Sequence, residues 1–144
     1  MQLTRAADYA VRMMIHLATL PPGSRINRSA LAAGSSVPEP FVGKILQTLT
    51  KSGLIDSQRG MNGGFALAAS PEVISILDIV EAVEGPTTLN ICIKPGATCD
   101  RKAWCPAHPV WCEAQDAMAA VLRRAKLASL ARTVLDEEPR WISL

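Results

Sequence analysis

The 144-residue chain has four cysteines but no C-x-x-C pair, which weakens the zinc-ribbon and thioredoxin readings that depend on closely spaced thiols. It also lacks any apolar run of the about eighteen residues that a membrane span requires. The stretch up to Leu20 comes nearest to a targeting segment, yet Arg5, Asp8 and Arg12 interrupt it at helical spacing and no cleavage pattern follows. A cytoplasmic protein with no membrane partner is therefore expected. No Ser-His pairing or paired-carboxylate arrangement can be argued, so an enzyme is not expected. His16 lies among apolar helix residues and reads as a packed or surface side chain rather than a catalytic base. There is no internal repeat and no low-complexity tract.

What is present indicates a folded, mostly α chain. Hydrophobic residues make up 49% against 19% charged, and much of the apolar share is alanine, which favours helix. The length suits one domain, or a small domain with an added arm. The net charge is only +2, but its distribution is uneven. Arg5, Arg12, Arg25, Arg28, Lys44, Lys51 and Arg59 face only Asp8, Glu39 and Asp56 in the first sixty residues. That part could meet a polyanion. Glu72, Asp78, Glu81 and Glu84 follow without a basic residue and are expected to be solvated surface.

Along the chain, Thr4 is a plausible N-cap for a helix to about Leu20, with Ala6, Ala7, Ala10, Met13, Met14 and Leu17 on its buried side. The methionines read as packing. A two-turn helix from Asn27 or Arg28 ends near Gly34, and Pro38 is expected in the first turn of the next helix, whose stripe is Phe41, Ile45, Leu46 and Leu49. Residues 54–59 and 64–67 alternate as two strands around Gly60-Met61-Asn62-Gly63. Helix, helix and hairpin describe a winged helix-turn-helix, in which the second helix enters the major groove of DNA and the wing carries Arg59 to a phosphate or the minor groove. The same order also serves protein-interaction modules, and Lys44, Gln47, Thr48 and Lys51 are equally consistent with a solvated helix face.

Pro71 is expected to open a short helix, Ile74 to Val83, and Gly85-Pro86 to end it. A long helix from Pro109 repeats Val110, Ala114, Ala117 and Val121 beside Trp111, Met118 and Leu122. Two apolar stripes on one helix need more than the chain's own core to cover them, so this reads as a dimerisation helix, with intramolecular packing as the alternative. A further turn is expected from Ala128 or Ser129 through Leu130, Val134 and Leu135. The expected division is 1–84 winged-helix DNA-binding domain, 85–108 cysteine-rich loop, 109–135 dimerisation helix region and 136–144 tail, the last without fixed structure.

All the cysteines, Cys92, Cys99, Cys105 and Cys112, lie in one stretch with His108. Pro95, Gly96, Pro106 and Pro109 make most of it loop. Taken alone, the spacing leaves disulfides, a zinc site and an iron–sulfur cluster open, and a reducing compartment favours a metal or redox role over disulfides.

Three segments are specific together: M-Q-L-T-R-A-A-D-Y-A-V-R at the start, L-T-K-S-G-L-I-D-S-Q-R-G-M-N-G-G-F-A-L across the second helix and wing, and I-L-D-I-V-E-A-V-E-G before the cysteines. With them the chain resembles, over nearly its whole length, the IscR/NsrR-type family of iron–sulfur winged-helix transcription regulators. The resemblance implies a homodimer on an imperfect palindrome of double-stranded DNA, with DNA contacts from Arg28, Pro40, Phe41, Lys44, Lys51 and Arg59. It further implies an iron–sulfur cluster on Cys92, Cys99 and Cys105. His108 matches the fourth ligand of members with a 2Fe-2S cluster. Asp8 matches the carboxylate that members with a 4Fe-4S cluster donate from the other subunit.

The chain departs from the pattern in three ways: the interval from Cys92 to Cys99 is one residue longer than in IscR-like members, Cys112 is an additional thiol, and Gly43 stands where IscR-like members carry a glutamate. Cys112 has three readings, as a ligand, a resolving thiol or buried packing. The expected function is a transcription regulator whose DNA binding is set by a cluster that senses nitric oxide, redox stress or iron status. Two alternatives stand beside it: a thiol- or zinc-switched DNA-binding regulator, and a small electron-transfer or metal-handling protein.

Overall fold

The computed structural model describes residues 2–136. Helix α1 (Arg5–Thr19) begins where the Thr4 hydroxyl accepts from the Ala7 amide, as the sequence predicts. Its face of Ala7, Ala10, Met13, Met14 and Leu17 is buried, and α2, α3, α4 and α6 all pack around it. Both methionines are fully buried, so their role is packing, and burying a side chain of that size contributes about 1.5–3 kcal/mol.

Helix α2 (Arg28–Ser35) is capped by Asn27 and ends at Ser36, a non-glycine residue at φ 53°. There the Val37 amide reaches back to the Ala32 carbonyl at 3.0 Å, which closes the helix and sets the turn into α3 (Glu39–Lys51). Pro38 is the N-cap of α3 rather than part of its first turn; Pro40 occupies that turn, where no amide donor is needed. The buried stripe of α3 is Val42, Ile45, Leu46 and Leu49, while Phe41, expected within it, is half exposed and packs against Tyr9 at 5.4 Å between ring centroids.

Strands β1 (Ile55–Gln58) and β2 (Gly64–Leu67) pair antiparallel, Ile55 opposite Leu67 and Gln58 opposite Gly64. Ile26 adds a short third rung by exchanging backbone hydrogen bonds with Phe65, at 2.9 and 3.1 Å. Gly64 permits this approach: it sits at φ 126°, and a Cβ there would lie 2.6 Å from the Ile26 carbonyl oxygen. Arg25 fixes the same corner through an ion pair with Asp56 and a hydrogen bond to the Gly64 carbonyl at 3.2 Å.

Helix α4 (Ile76–Glu84) starts later than expected, at a capping box in which Ser75 and Asp78 bond reciprocally. All four acidic residues are exposed, as expected, and three of them also carry hydrogen bonds that order the fold. Asp78 caps its own helix, Glu81 accepts from both the amide and the hydroxyl of Thr87, and Glu84 accepts from the Thr4 amide at 2.6 Å, tying the end of α4 to the start of α1. Of the four, Glu72 is joined among the described residues only through its amide, which donates to the Ser70 hydroxyl at 3.3 Å.

A single turn of 3-10 helix (Ile91–Ile93) interrupts the cysteine loop before α5 (His108–Arg124). The last turn anticipated near Ala128 is a separate ten-residue helix, α6 (Leu127–Asp136). Between α5 and α6, Lys126 bridges to Ser75: the Leu127 amide bonds the Ile74 carbonyl and the Ile76 amide bonds the Ala125 carbonyl, each at 3.0 Å. Leu127 and Ala131 are then buried as α6 returns to α1. The anticipated tail falls almost wholly on 137–144, outside the described residues.

Candidate nucleic-acid interface and cysteine loop

The side of α3 opposite its buried stripe presents Pro40, Lys44, Gln47 and Lys51, all exposed. Thr48, expected with them, is partly buried and turns its hydroxyl onto the Lys44 carbonyl at 3.1 Å. Arg28 projects from the start of α2 and donates to the Glu39 carbonyl at 3.1 Å. Arg28, Gly43, Leu46, Gln47, Thr50, Lys51, Ser57 and Phe65 line one open depression of about 440 Å³ between α3 and the wing. Arg59 is exposed in the turn after β1.

Not every basic residue of this half is available. Arg25 is committed to Asp56, and Arg12 pairs with Asp8 at 2.8 Å while lying over the Tyr9 ring. Arg5, Arg28, Lys44, Lys51 and Arg59 have no salt bridge among the described residues. They can meet phosphates without breaking a salt bridge.

His16 is neither catalytic nor loosely solvated. The far end of its imidazole lies against Gly34 of α2, where a Cβ would collide with the ring. Desolvation there lowers its pKa below the usual 6.5.

The cysteine loop is held at its start by two carbonyl-bearing side chains that sequence reasoning did not single out. Glu81 of α4 grips Thr87, and the Gln115 amide of α5 both accepts from the Leu89 amide and donates to the Thr87 carbonyl, each at 2.8 Å. These contacts span 26 and 28 residues, and nothing local in the sequence signals them.

All four cysteines are free and partly buried. At the head of α5, one turn apart, the Cys112 thiol lies 3.7 Å from His108 Nε2, so the pair shares one helix face. The other ring nitrogen, Nδ1 of His108, is buried with no hydrogen-bond partner, which is costly for a polar atom unless a proton acceptor or metal joins it.

The donor set suits the cluster that the resemblance implies, since thiolates and imidazole are the ligands iron–sulfur clusters take. Within one chain, however, no three His, Cys, Asp or Glu side chains converge at metal-holding separations among the described residues. Of the six candidate ligands, His108 and Cys112 are in contact, and Asp8, on α1, is paired with Arg12.

Helix α5 has no buried residue. Val110, Trp111 and Val121 are 57%, 40% and 55% exposed, leaving an apolar face that the described residues do not cover. No described helix is long and apolar enough to cross a membrane.

Comparison with known proteins agrees with this architecture. The Rrf2 family model, described as an iron-dependent transcriptional regulator, matches residues 3–133. The HTH-type transcriptional regulator NsrR of Geobacillus kaustophilus is 34% identical over 131 residues, covering 90% of this chain and 89% of that protein. Among solved structures, IscR of T. potens matches with a TM-score of 0.75 at 24% identity, covering 97% of this chain and 91% of the other. CymR, the global cysteine regulator of B. subtilis, matches with the same TM-score and identity over 93% and 98% of the two chains. These structural likenesses show a shared winged-helix fold. With the helix-turn-helix, the two-stranded wing and a family match over almost the full length, the chain belongs to the Rrf2 family of transcriptional regulators.

Proposed function

We propose that this regulator works as a homodimer on an imperfect palindrome of double-stranded DNA in the cytoplasm, its operator binding set by an iron–sulfur cluster, 2Fe-2S or 4Fe-4S, that senses nitric oxide, redox stress or iron status. One observation carries the sensor reading: four free, partly buried thiols lie in a single stretch beside a histidine with an unpartnered buried nitrogen. Cys92, Cys99 and Cys105 would hold the cluster, with His108, Asp8 of a second copy or Cys112 as the fourth ligand. When bound, it supplies an iron centre that reacts with nitric oxide and oxidants. An electron-transfer role has no place in a family of transcriptional regulators.

The chain's own residues supply the linkage. Glu81 and Gln115 clamp the start of the loop between α4 and α5, and its end is the first turn of α5. Helix α4 packs on α1 and α3, so a rearranged loop acts on the helix-turn-helix through α4 and on the uncovered face of α5. A second copy covering that face would turn a change at the loop into a change of angle between two DNA-binding halves. Arg28, Lys44, Lys51 and Arg59 then provide affinity that falls steeply with salt, while Pro40 and Phe41 approach base edges or sugar.

Anaerobic purification with visible absorption and iron counting tests the cluster, repeated on His108, Asp8 and Cys112 variants one at a time. A colourless protein that contains zinc, or no metal, refutes it. A thiol or zinc switch is the second reading, favoured by the Cys112 to His108 contact. Operator binding by metal-free protein that changes between reduced and oxidised thiols would establish it.

A further inference from the structure

The feature that stands out on the DNA-facing side is a missing side chain and the group that fills its place. Gly43 lies on α3 between the buried stripe and the exposed row of Pro40, Lys44, Gln47 and Lys51. A Cβ built on it would stand 3.1 Å from both Cζ and Nη1 of Arg28 and 3.3 Å from Nη2. The guanidinium of Arg28 therefore sits where a side chain of residue 43 would begin. It comes from α2 but lies on the surface of α3, facing the depression shared with Gln47, Thr50, Lys51 and Ser57.

One hydrogen bond holds it there without exhausting it. Nη2 donates to the Glu39 carbonyl at 3.1 Å, whereas the Glu39 carboxylate is taken by the Ser29 hydroxyl, also at 3.1 Å. Arg28 thus makes no salt bridge among the described residues, and its Nη1 and Nε donate to nothing there. A planar fork with free donors, backed by a main-chain carbonyl and laid across a glycine, is oriented before any ligand arrives.

We propose that Arg28 is a specificity-determining residue: Gly43 clears a seat for its guanidinium on the recognition helix, from which it reads the O6 and N7 acceptors of a guanine in the major groove. The inference rests on the operator-binding reading above and sharpens it, assigning a base preference to a side chain outside α3. A phosphate contact is the rival role for the same charge, and the two differ in what they do to sequence preference and to salt dependence.

The test is selection of bound duplexes from a randomised library by the full-length protein, followed by affinity measurements over a salt series on the selected duplex. The Arg28→Lys, Arg28→Ala and Gly43→Ala variants are compared with the parent, with circular dichroism confirming the fold. The expected result is loss of the guanine preference at one symmetry-related pair of positions by roughly 5- to 150-fold in Arg28→Lys, which keeps the charge but not the fork, with the salt slope nearly unchanged. Gly43→Ala, which pushes the guanidinium aside by a few tenths of an ångström, should weaken preference at the same positions to a smaller extent, and 7-deazaguanine there should reproduce the Arg28→Lys loss with the parent protein. Uniform weakening over all duplexes, with the salt slope reduced by about 1 in Arg28→Ala, overturns the inference in favour of a phosphate contact. Unaltered preference in all three variants overturns it too, leaving operator binding intact. A parent protein that selects no sequence at all counts against the operator reading itself and takes the inference with it.

Discussion

Replacing Gly34 with alanine should destabilise the protein in one background and stabilise it in another, and the change of sign measures how α1 is seated on α2. In the parent, the new methyl group would overlap the His16 ring, with even Cδ2 at only 2.9 Å. Overpacking of this kind costs about 1–3 kcal/mol, against a helix-propensity gain of up to about 1 kcal/mol for alanine over glycine. The net expectation is a loss of about 1–2 kcal/mol, or a melting temperature lower by about 2–8 °C for a chain of this size. With His16→Ala in place the collision is gone, and Gly34→Ala should then raise stability by up to about 1 kcal/mol. Urea unfolding followed by circular dichroism on the four proteins of the cycle gives the coupling directly, expected at about 1–3 kcal/mol. A coupling below about 0.5 kcal/mol, the usual additivity error for independent sites, would refute the argument that the imidazole fills the place of a side chain at residue 34.

The same histidine predicts a pH effect. Because burial lowers its folded pKa below 6.5, the folded state prefers the neutral ring; its contribution is full above pH 6.5 and is lost as the pH falls below that value towards the folded pKa. Parent minus His16→Gln stability, measured from pH 7.5 to 5, should therefore shrink on acidification, and a constant difference would contradict it. Gln115→Ala removes two backbone contacts of the cysteine loop and should cost about 1–3 kcal/mol, with faster amide exchange at Leu89; unchanged exchange would show that the clamp is unimportant. Gly64→Ala forces a strained φ beside the Ile26 carbonyl and should cost about 1–3 kcal/mol, visible as earlier proteolysis of the wing. Arg59→Ala should weaken duplex binding and lower the salt slope by about 1 if the wing meets phosphate, whereas an unaltered affinity would take the wing out of the interface.

The helix-turn-helix and wing were legible because their signals are local. Thr4 and Asn27 cap helices, and Gly60 to Gly63 turn a hairpin whose strands alternate. Ser75-Ile-Leu-Asp78 is equally local, a capping-box pattern that Pro71 upstream obscured, and it moved the start of α4 by two residues. The separation of α5 from α6 had no glycine or proline to announce it; what breaks the helix at Ala125 and Lys126 is pairing with Ile74 to Ile76, about a third of the chain away. The grip of Gln115 on the cysteine loop is non-local for the same reason, whereas that of Glu81 on Thr87 spans only one helix end. For the cysteines, the sequence named the donors, but the resemblance alone supplied the ligand set, and within one chain His108 and Cys112 are in contact.

The return of α6 to α1 also governs the order in which the protein can be made. A ribosome that has released residues 5–67 has synthesised the helix-turn-helix and wing, yet Leu127 and Ala131, which cover part of α1, have still to be translated. At about 5–20 residues per second, several seconds separate the two, and in that interval the flank of α1 is open to chaperones or to other nascent chains. A message truncated before codon 127 would thus yield a helix-turn-helix half with an unsealed core rather than an active regulator, which makes the last helix a quality check on the reading head.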